Sequence, residues 1–393
     1  MEHFDDFVER VREGNPIEEV MRESGITLKG HGKMLTGSKH DSLKVRTDWQ
    51  RAWWYSSNWN GDVFGWVMRD KGVDFMGALE ILARRANLEM PKFSSVNESE
   101  VVKQRATADV FSVAASVFQR WLIDVPGSTS QVPSDEEALV YARSRGWTDE
   151  TIKASMLGFS GRKTEAQIKD MRGEFDLWGI DALSPAAVAV TGFEGDVDAW
   201  AKSKGVREHP DFDEKWIEWK KIYGLMDTPG LVYVHQFNGG VRYLSRRNLP
   251  GHDSKTKSFN PQKALAGAKQ PYFNHAHELG KAIVLCEGQG DAVTWGQWGY
   301  GAMAFCGLLA DLDSLSDDER ERMMKLAKYI NRHSAVYVAL DEDKAGEEAL
   351  HLAAALLGAK VQVVRMSKAM PREDASSALR SAQREDIEEN NEA

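Results

Sequence analysis

Cysteine is scarce in this 393-residue chain: Cys286 and Cys306 are the only two, and both lie in apolar surroundings. That excludes a disulfide framework and a zinc site built on four cysteines. Also missing is any apolar run of the roughly 18 residues that cross a bilayer, and the opening MEHFDDFVERVREG is acidic and amphipathic, unlike a signal peptide. The expectation is a cytoplasmic protein with no membrane partner. No G-x-x-x-x-G-K-[ST] phosphate loop occurs, which argues against an ATP-driven motor, and no internal repeat or long low-complexity tract is present. Positive charge is in deficit, with a net charge of −10, so the surface as a whole is not built to hold a duplex non-specifically.

What is present is enough apolar material, 42% of residues, to give each of two or three domains a core. Residues 1–92 alternate helical patterns with an aromatic stretch, TDWQRAWWYSSNWNGDVFGWVM, and close on an amphipathic helix that Pro91 ends. Residues 93–104 are polar and unpatterned and read as a linker. A third region, 105–280, begins helical and turns to strands at Gly230, where LVYVHQF and VRYLSRRN flank the hairpin signal NGG. Residues 162–226 within it are charged and weakly periodic. From 281 to 372 apolar strands (KAIVLCEG, SAVYVALD, KVQVVRM) alternate with helical segments (GDAVTWGQWG, KAGEEALHLAAALLG), the pattern of a mostly parallel α/β unit. Residues 373–393 form an acidic tail.

Ligand sites in open α/β sheets form outside the carboxyl ends of the strands. Three acids stand at such ends: Glu287 after AIVLC, and Asp341 and Asp343 after AVYVAL. One acid there is readily a helix cap. Two carboxylates two residues apart in an extended segment lean the same way, repel each other, and call for a cation. Mg²⁺ is the natural one, a hard ion that accepts one or two carboxylates and leaves positions for phosphate oxygens.

LCEGQGDAV followed by ALDEDKAGEEA resembles the Toprim domain shared by bacterial primases, type IA and type II topoisomerases, and some nucleases and repair proteins. The resemblance implies that Glu287, Asp341 and Asp343 hold catalytic Mg²⁺ (or Mn²⁺) ions. It also makes Asp291, at the acid of the primase pattern EGxxD, a further catalytic residue. The primase element after the next strand corresponds to AMPREDASSAL, with Glu373 in place of a lysine and Ser376 and Ser377 in place of a later acid; it adds Asp374 as a metal ligand. Upstream, VERVREGNPIEEVMRESGITLKGHGKMLTG, NGDVFGWVMRDKGVDFMGALEILARRANLEMP and ALVYARSRGWTDETIKASMLGFS resemble successive segments of the bacterial DnaG-type primase, in the family's order. A type IA topoisomerase would need several hundred further residues and a nucleophilic tyrosine.

That family's N-terminal domain holds zinc through C-x-x-H and C-x-x-C. Here the first becomes Gly37, Ser38, Lys39 and His40, and the second falls in YSSNWNG without cysteine. One histidine does not close a tetrahedral structural site. No zinc is expected, so about 10 kcal/mol or more of metal-linked folding energy must come from packing. Trp49, Trp53, Trp54, Tyr55, Trp59 and Trp66 are the candidates for that packing, mostly core with one or two exposed; the competing reading makes several of them a stacking platform for single-stranded template bases.

Between Leu231 and Lys281 eight Lys and Arg residues face only Asp253 and Glu278, an electropositive island of +6. Such clustering suits phosphate contacts. Arg246, Arg247, Lys255, Lys257 and Lys269 are the candidates for holding template and nucleotides. The fold class expected is α/β, α+β overall: a Toprim sheet, a primase-core subdomain, and a small zinc-ribbon-like domain lacking zinc. The function expected from the resemblance is a DNA primase, with single-stranded DNA, ribonucleoside triphosphates and a separate replicative helicase as partners. The resemblance gives no helicase-binding C-terminal domain here, an economy that would suit a phage or mobile element. A Toprim nuclease and a non-catalytic single-strand-binding relative of primases are the alternatives.

Overall fold

Short helices with acidic caps, a meander of two- to four-residue strands and a longer α/β alternation account for the elements of the computed structural model. It describes residues 4–39, 41–47, 50–57, 59–90, 98–123, 132–192, 202, 223–237, 240–252, 256–308, 316–341, 344–357 and 361–364. The chain divides into two compact units, one formed by Met1–Val113, Met171–Val188 and Gln236–Arg242, the other by Ala114–Asp170, Ala189–His235 and Tyr243–Ala393.

The first unit starts with helices α1 (Phe4–Glu13) and α2 (Ile17–Glu23). Strands β1 (Leu28–Lys29), β2 (Met34–Gly37), β3 (Leu43–Arg46), β4 (Arg51–Trp54) and β5 (Trp59–Gly61) follow in one sheet in sequence order, every pairing antiparallel. Helices α3 (Val63–Lys71) and α4 (Phe75–Arg85) begin alike: the side chains of Asp62 and Asp74 accept hydrogen bonds from Gly65 N and Gly77 N at 2.9 and 2.8 Å. Trp66 is the centre of the aromatic packing. It is 3% exposed, stacks with Trp54 at 6.3 Å, meets Trp59 edge-on at 5.4 Å, and donates from its indole N–H to Ser24 Oγ. Trp53 is buried against Trp178, while Trp54 and Trp59 are half-buried beneath the Arg69 guanidinium. Trp49 and His40 lie outside the described residues. Ser42 and Ser56 share a 2.7 Å hydroxyl hydrogen bond and Ser38 N donates to Thr27 O.

Helix α5 (Glu98–Leu122) takes in residues 98–104, which the sequence reads as a linker. Arg105 anchors the helix to the first unit. It lies 4.7 Å from the Phe75 ring centroid and pairs with Asp62 at 2.6 Å. Arg12 approaches the same carboxylate, and Glu9 accepts from both Arg12 and Arg242 at 2.5 Å. Burial alone would raise the Asp62 carboxyl; Arg105 and Arg12 hold it well below the usual carboxylate range.

The second unit takes in helices α6 (Glu136–Ser144) and α7 (Asp149–Ala154), capped by Asp135 and Thr148. Strand β6 (Gly158–Phe159) and helices α8 (Glu165–Leu177) and α9 (Pro185–Thr191) come next in the chain. The expected hairpin is strands β7 (Gly230–Phe237) and β8 (Gly240–Asn248), neighbours in a sheet of order β6-β7-β8-β9 with β9 at Ser258–Phe259; its turn, Asn238–Gly239, lies outside the described residues. After helix α10 (Lys263–Ala266) comes the α/β sheet, of order β10-β12-β11-β13-β14. Its strands are β10 (Tyr272–Phe273), β11 (Ile283–Cys286), β12 (Ala302–Ala304), β13 (Val336–Val338) and β14 (Val361–Val363). All its pairings are parallel except the edge pair β10–β12. Helices α11 (Gln289–Gln297), α12 (Asp317–Ile330) and α13 (Lys344–Leu357) connect the strands. The sheet takes in Tyr272–Phe273 as its edge strand β10.

Candidate active site

Four wholly buried residues, Ile283 to Cys286, drive β11 into the centre of the sheet and leave Glu287 at its carboxyl end. The main chain there is fixed from β12: Phe305 N donates to Cys286 O at 3.0 Å and Cys306 N to Glu287 O at 2.9 Å. Gly288 opens α11 and its missing side chain leaves room for the Asp291 carboxylate, which would lie 3.1 Å from a Cβ. Asp291 stands in the first helical turn, where the helix dipole favours negative charge. Asp341 follows β13 by three residues. Gly346 in α13 lets the helix pack onto the Asp341 backbone, a place a Cβ would fill.

Glu287, Asp291 and Asp341 all stand beyond the carboxyl ends of neighbouring strands β11 and β13. Burial pushes the Cys286 thiol well up, and Asp291, Asp341 and Glu287 push it the same way. The thiol therefore stays protonated beside half-buried carboxylates, and the donor set is one of hard oxygens, the chemistry of Mg²⁺ or Mn²⁺. Among the described residues no group of three or more His, Cys, Asp and Glu is close enough to enclose a metal. Asp343 and Asp374 lie outside the described residues.

The basic candidates separate. Arg246, expected on the phosphate path, is 4% exposed: its guanidinium bonds Asn248 Oδ1 at 2.7 Å and the carbonyls of Leu225 and Gly224 at 2.5 and 3.3 Å, over the Phe259 ring. Burial lowers its pKa to about 10. The neighbouring Arg247 is half-buried and reaches Ser258 Oγ at 3.5 Å, Lys257 is exposed, and Lys255 lies outside the described residues. Lys269 comes to the end of β12, its Nζ 3.6 Å from where a Gly307 Cβ would stand.

Arg145 was not among the sequence candidates. Its buried Nε has no hydrogen-bond partner among the described residues, and its guanidinium lies over Trp147 at 5.7 Å. Burial raises the Tyr233 phenol, and the positive charges of Arg145 and Arg247 act against it. The signal in the sequence was its place in YARSRGW, between two capped helices.

No protein-family model matches the chain. It is similar to the DNA primase of Enterococcus faecalis, 22% identical over 369 residues that cover 89% of this chain and 52% of the relative. The DNA primase of Geobacillus stearothermophilus is likewise 22% identical, over 370 residues covering 91% and 55%. The chain spans about half the length of these curated relatives. Among solved structures, the zinc-binding and RNA polymerase domains of the Aquifex aeolicus primase align with a TM-score of 0.48 and 16% identity, over 95% of this chain and 84% of that one.

Proposed function

We propose, from the premise that the chain is related to the bacterial DnaG-type DNA primases, that it copies single-stranded DNA into short RNA primers. The observation that supports the reading is that Glu287 and Asp291 follow β11 and Asp341 follows β13, neighbouring parallel strands whose carboxyl ends lie on one edge of the sheet. In the reaction the primer 3′-hydroxyl oxygen bonds to the α-phosphorus of a ribonucleoside triphosphate and the bond to pyrophosphate breaks. Glu287, Asp341, Asp343 and Asp374 would hold Mg²⁺ or Mn²⁺, which supplies positive charge to the attacking and leaving oxygens. Asp291 adds charge from the first turn of α11. Arg145, Arg247, Lys257 and Lys269, with Lys255, face template and nucleotide phosphates, where positive charge is worth most at low salt. A separate replicative helicase is the expected partner.

The test is to incubate the protein with single-stranded DNA, labelled ribonucleotides and Mg²⁺ or Mn²⁺. Short RNA is the expected product. Cleaved template without RNA would replace the reading with a nuclease, and bound but unaltered template would leave a non-catalytic binding protein.

A further inference from the structure

His235 lies in β7, wholly buried, with a partner at each ring nitrogen. Nδ1 faces two backbone carbonyls, Gln270 O at 2.8 Å and Pro271 O at 3.2 Å, and Nε2 faces Ser245 Oγ at 2.8 Å. Carbonyls only accept, so Nδ1 carries the hydrogen and Nε2, bare in the neutral ring, accepts from the Ser245 hydroxyl. Burial keeps the ring neutral by lowering its pKa to about 4. The Ser245 oxygen, its hydrogen committed to His235, accepts from Gln289 Nε2 at 3.1 Å. The chain of donors therefore runs one way, from Gln289 through Ser245 and His235 to the backbone beside Lys269. Every link is set by the one before it.

Gln289 is the first residue of α11, two residues from both Glu287 and Asp291. Gln270 and Pro271 directly follow Lys269, whose charge His235 feels. The relay thus joins the acidic loop and the basic loop through a ring that touches neither charge. The main-chain bond to Cys306 N fixes Glu287 in the strand direction, and the amide of Gln289 ties the first turn of α11 to β8 through Ser245.

We propose that His235, Ser245 and Gln289 are positioning residues that set the Glu287–Asp291 loop for divalent-cation binding and hold it in register with the Lys269 loop. This rests on the metal reading of the acids. Partners that orient metal ligands without touching the metal change affinity by about 10–100-fold when removed. The experiment measures Mn²⁺ affinity directly by electron paramagnetic resonance, in wild type, Ser245→Ala and Gln289→Leu, together with thermal melting and the ¹⁵N signature of the His235 ring.

The expected result is a hydrogen on Nδ1 and none on Nε2 in wild type, with Mn²⁺ affinity at least about 10-fold weaker in both variants while each still folds. Gln289→Asn, which keeps an amide but shortens its reach, is expected to recover no more than part of that loss. If Ser245→Ala melts too low to assay, half-buried Gln289→Leu decides alone. Wild-type binding of Mn²⁺ with unchanged affinity in Gln289→Leu, or a hydrogen on His235 Nε2, overturns the relay and leaves the metal reading intact. Wild-type protein that takes up no Mn²⁺ overturns both.

Discussion

Glu287→Gln and Asp341→Asn each keep the shape of a strand-end side chain and remove its charge. Primer synthesis should fall by more than about 100-fold, beyond the usual loss for an outer-shell partner, while single-strand binding holds or tightens. Wild-type rates in both would end the metal assignment. Arg246 and Arg247 make a sharper pair. Arg246→Ala strips donors from buried acceptors at Leu225, Gly224 and Asn248, so it should cost about 2–4 kcal/mol of stability, measured by denaturant unfolding. Arg247→Ala should leave stability alone and flatten the salt dependence of single-strand binding by about 0.7 in slope. A basic run identifies an electropositive segment, but successive strand residues point to opposite faces. In β8 both faces are covered near Arg246, so composition could not say which guanidinium would turn inward. The acids were legible for the opposite reason: each follows a buried apolar strand, where only the strand's end is open to a ligand. The Gln289 relay had no local signal, since its members are 10 and 44 residues apart in sequence.

At the scale of elements, the alternation of apolar strands with helices in the α/β unit could be read from its pattern, whereas β10 could not. β10 is two residues held by Asn274, whose amide bonds Ala292 O, Tyr300 O and Ala302 N; those partners lie 18 to 28 residues away and leave no trace in a local pattern. Arg105 of α5 likewise pairs 43 residues back, with Asp62, a contact no local pattern shows. Two element-scale outcomes follow from close packing. Gly346→Ala places a methyl against the Asp341 backbone, and should cost about 1–3 kcal/mol while weakening synthesis through the displaced acid. If it melts and primes like wild type, α13 does not set the acid's position. Trp66→Ala should destabilise the first unit by about 3–5 kcal/mol, since the ring is core and not a template platform; a folded variant that loses only single-strand affinity would reverse that assignment.

Among the described residues burial lowers the pKa of His235, His277 and His333, and this shapes how stability depends on pH. Burial lowers His235 to about 4, and burial with the adjoining His333 lowers His277 to about 4, against an ordinary value of 6.5. His277 Nε2 and His333 Nε2 lie 3.1 Å apart, a separation that one bare and one protonated nitrogen allow and two protonated nitrogens do not. Between pH 6.5 and 4 the unfolded chain binds protons that the folded chain refuses. Stability from the neutral rings is therefore complete above about pH 6.5 and is lost as the pH falls toward 4, by about 3 kcal/mol each for His235 and His277. Asp62 acts in the same direction only further down: its folded pKa is depressed, so what it contributes is present above the usual carboxylate range and disappears below it. The urea midpoint should hold between pH 8 and 7, then drop steeply between 6.5 and 4.5. His277→Gln, which keeps a hydrogen-bonding side chain but cannot titrate, should make that drop shallower. A midpoint flat from pH 7 to 4.5 would mean that both rings take up protons in the folded protein, contrary to the burial and the paired nitrogens seen here.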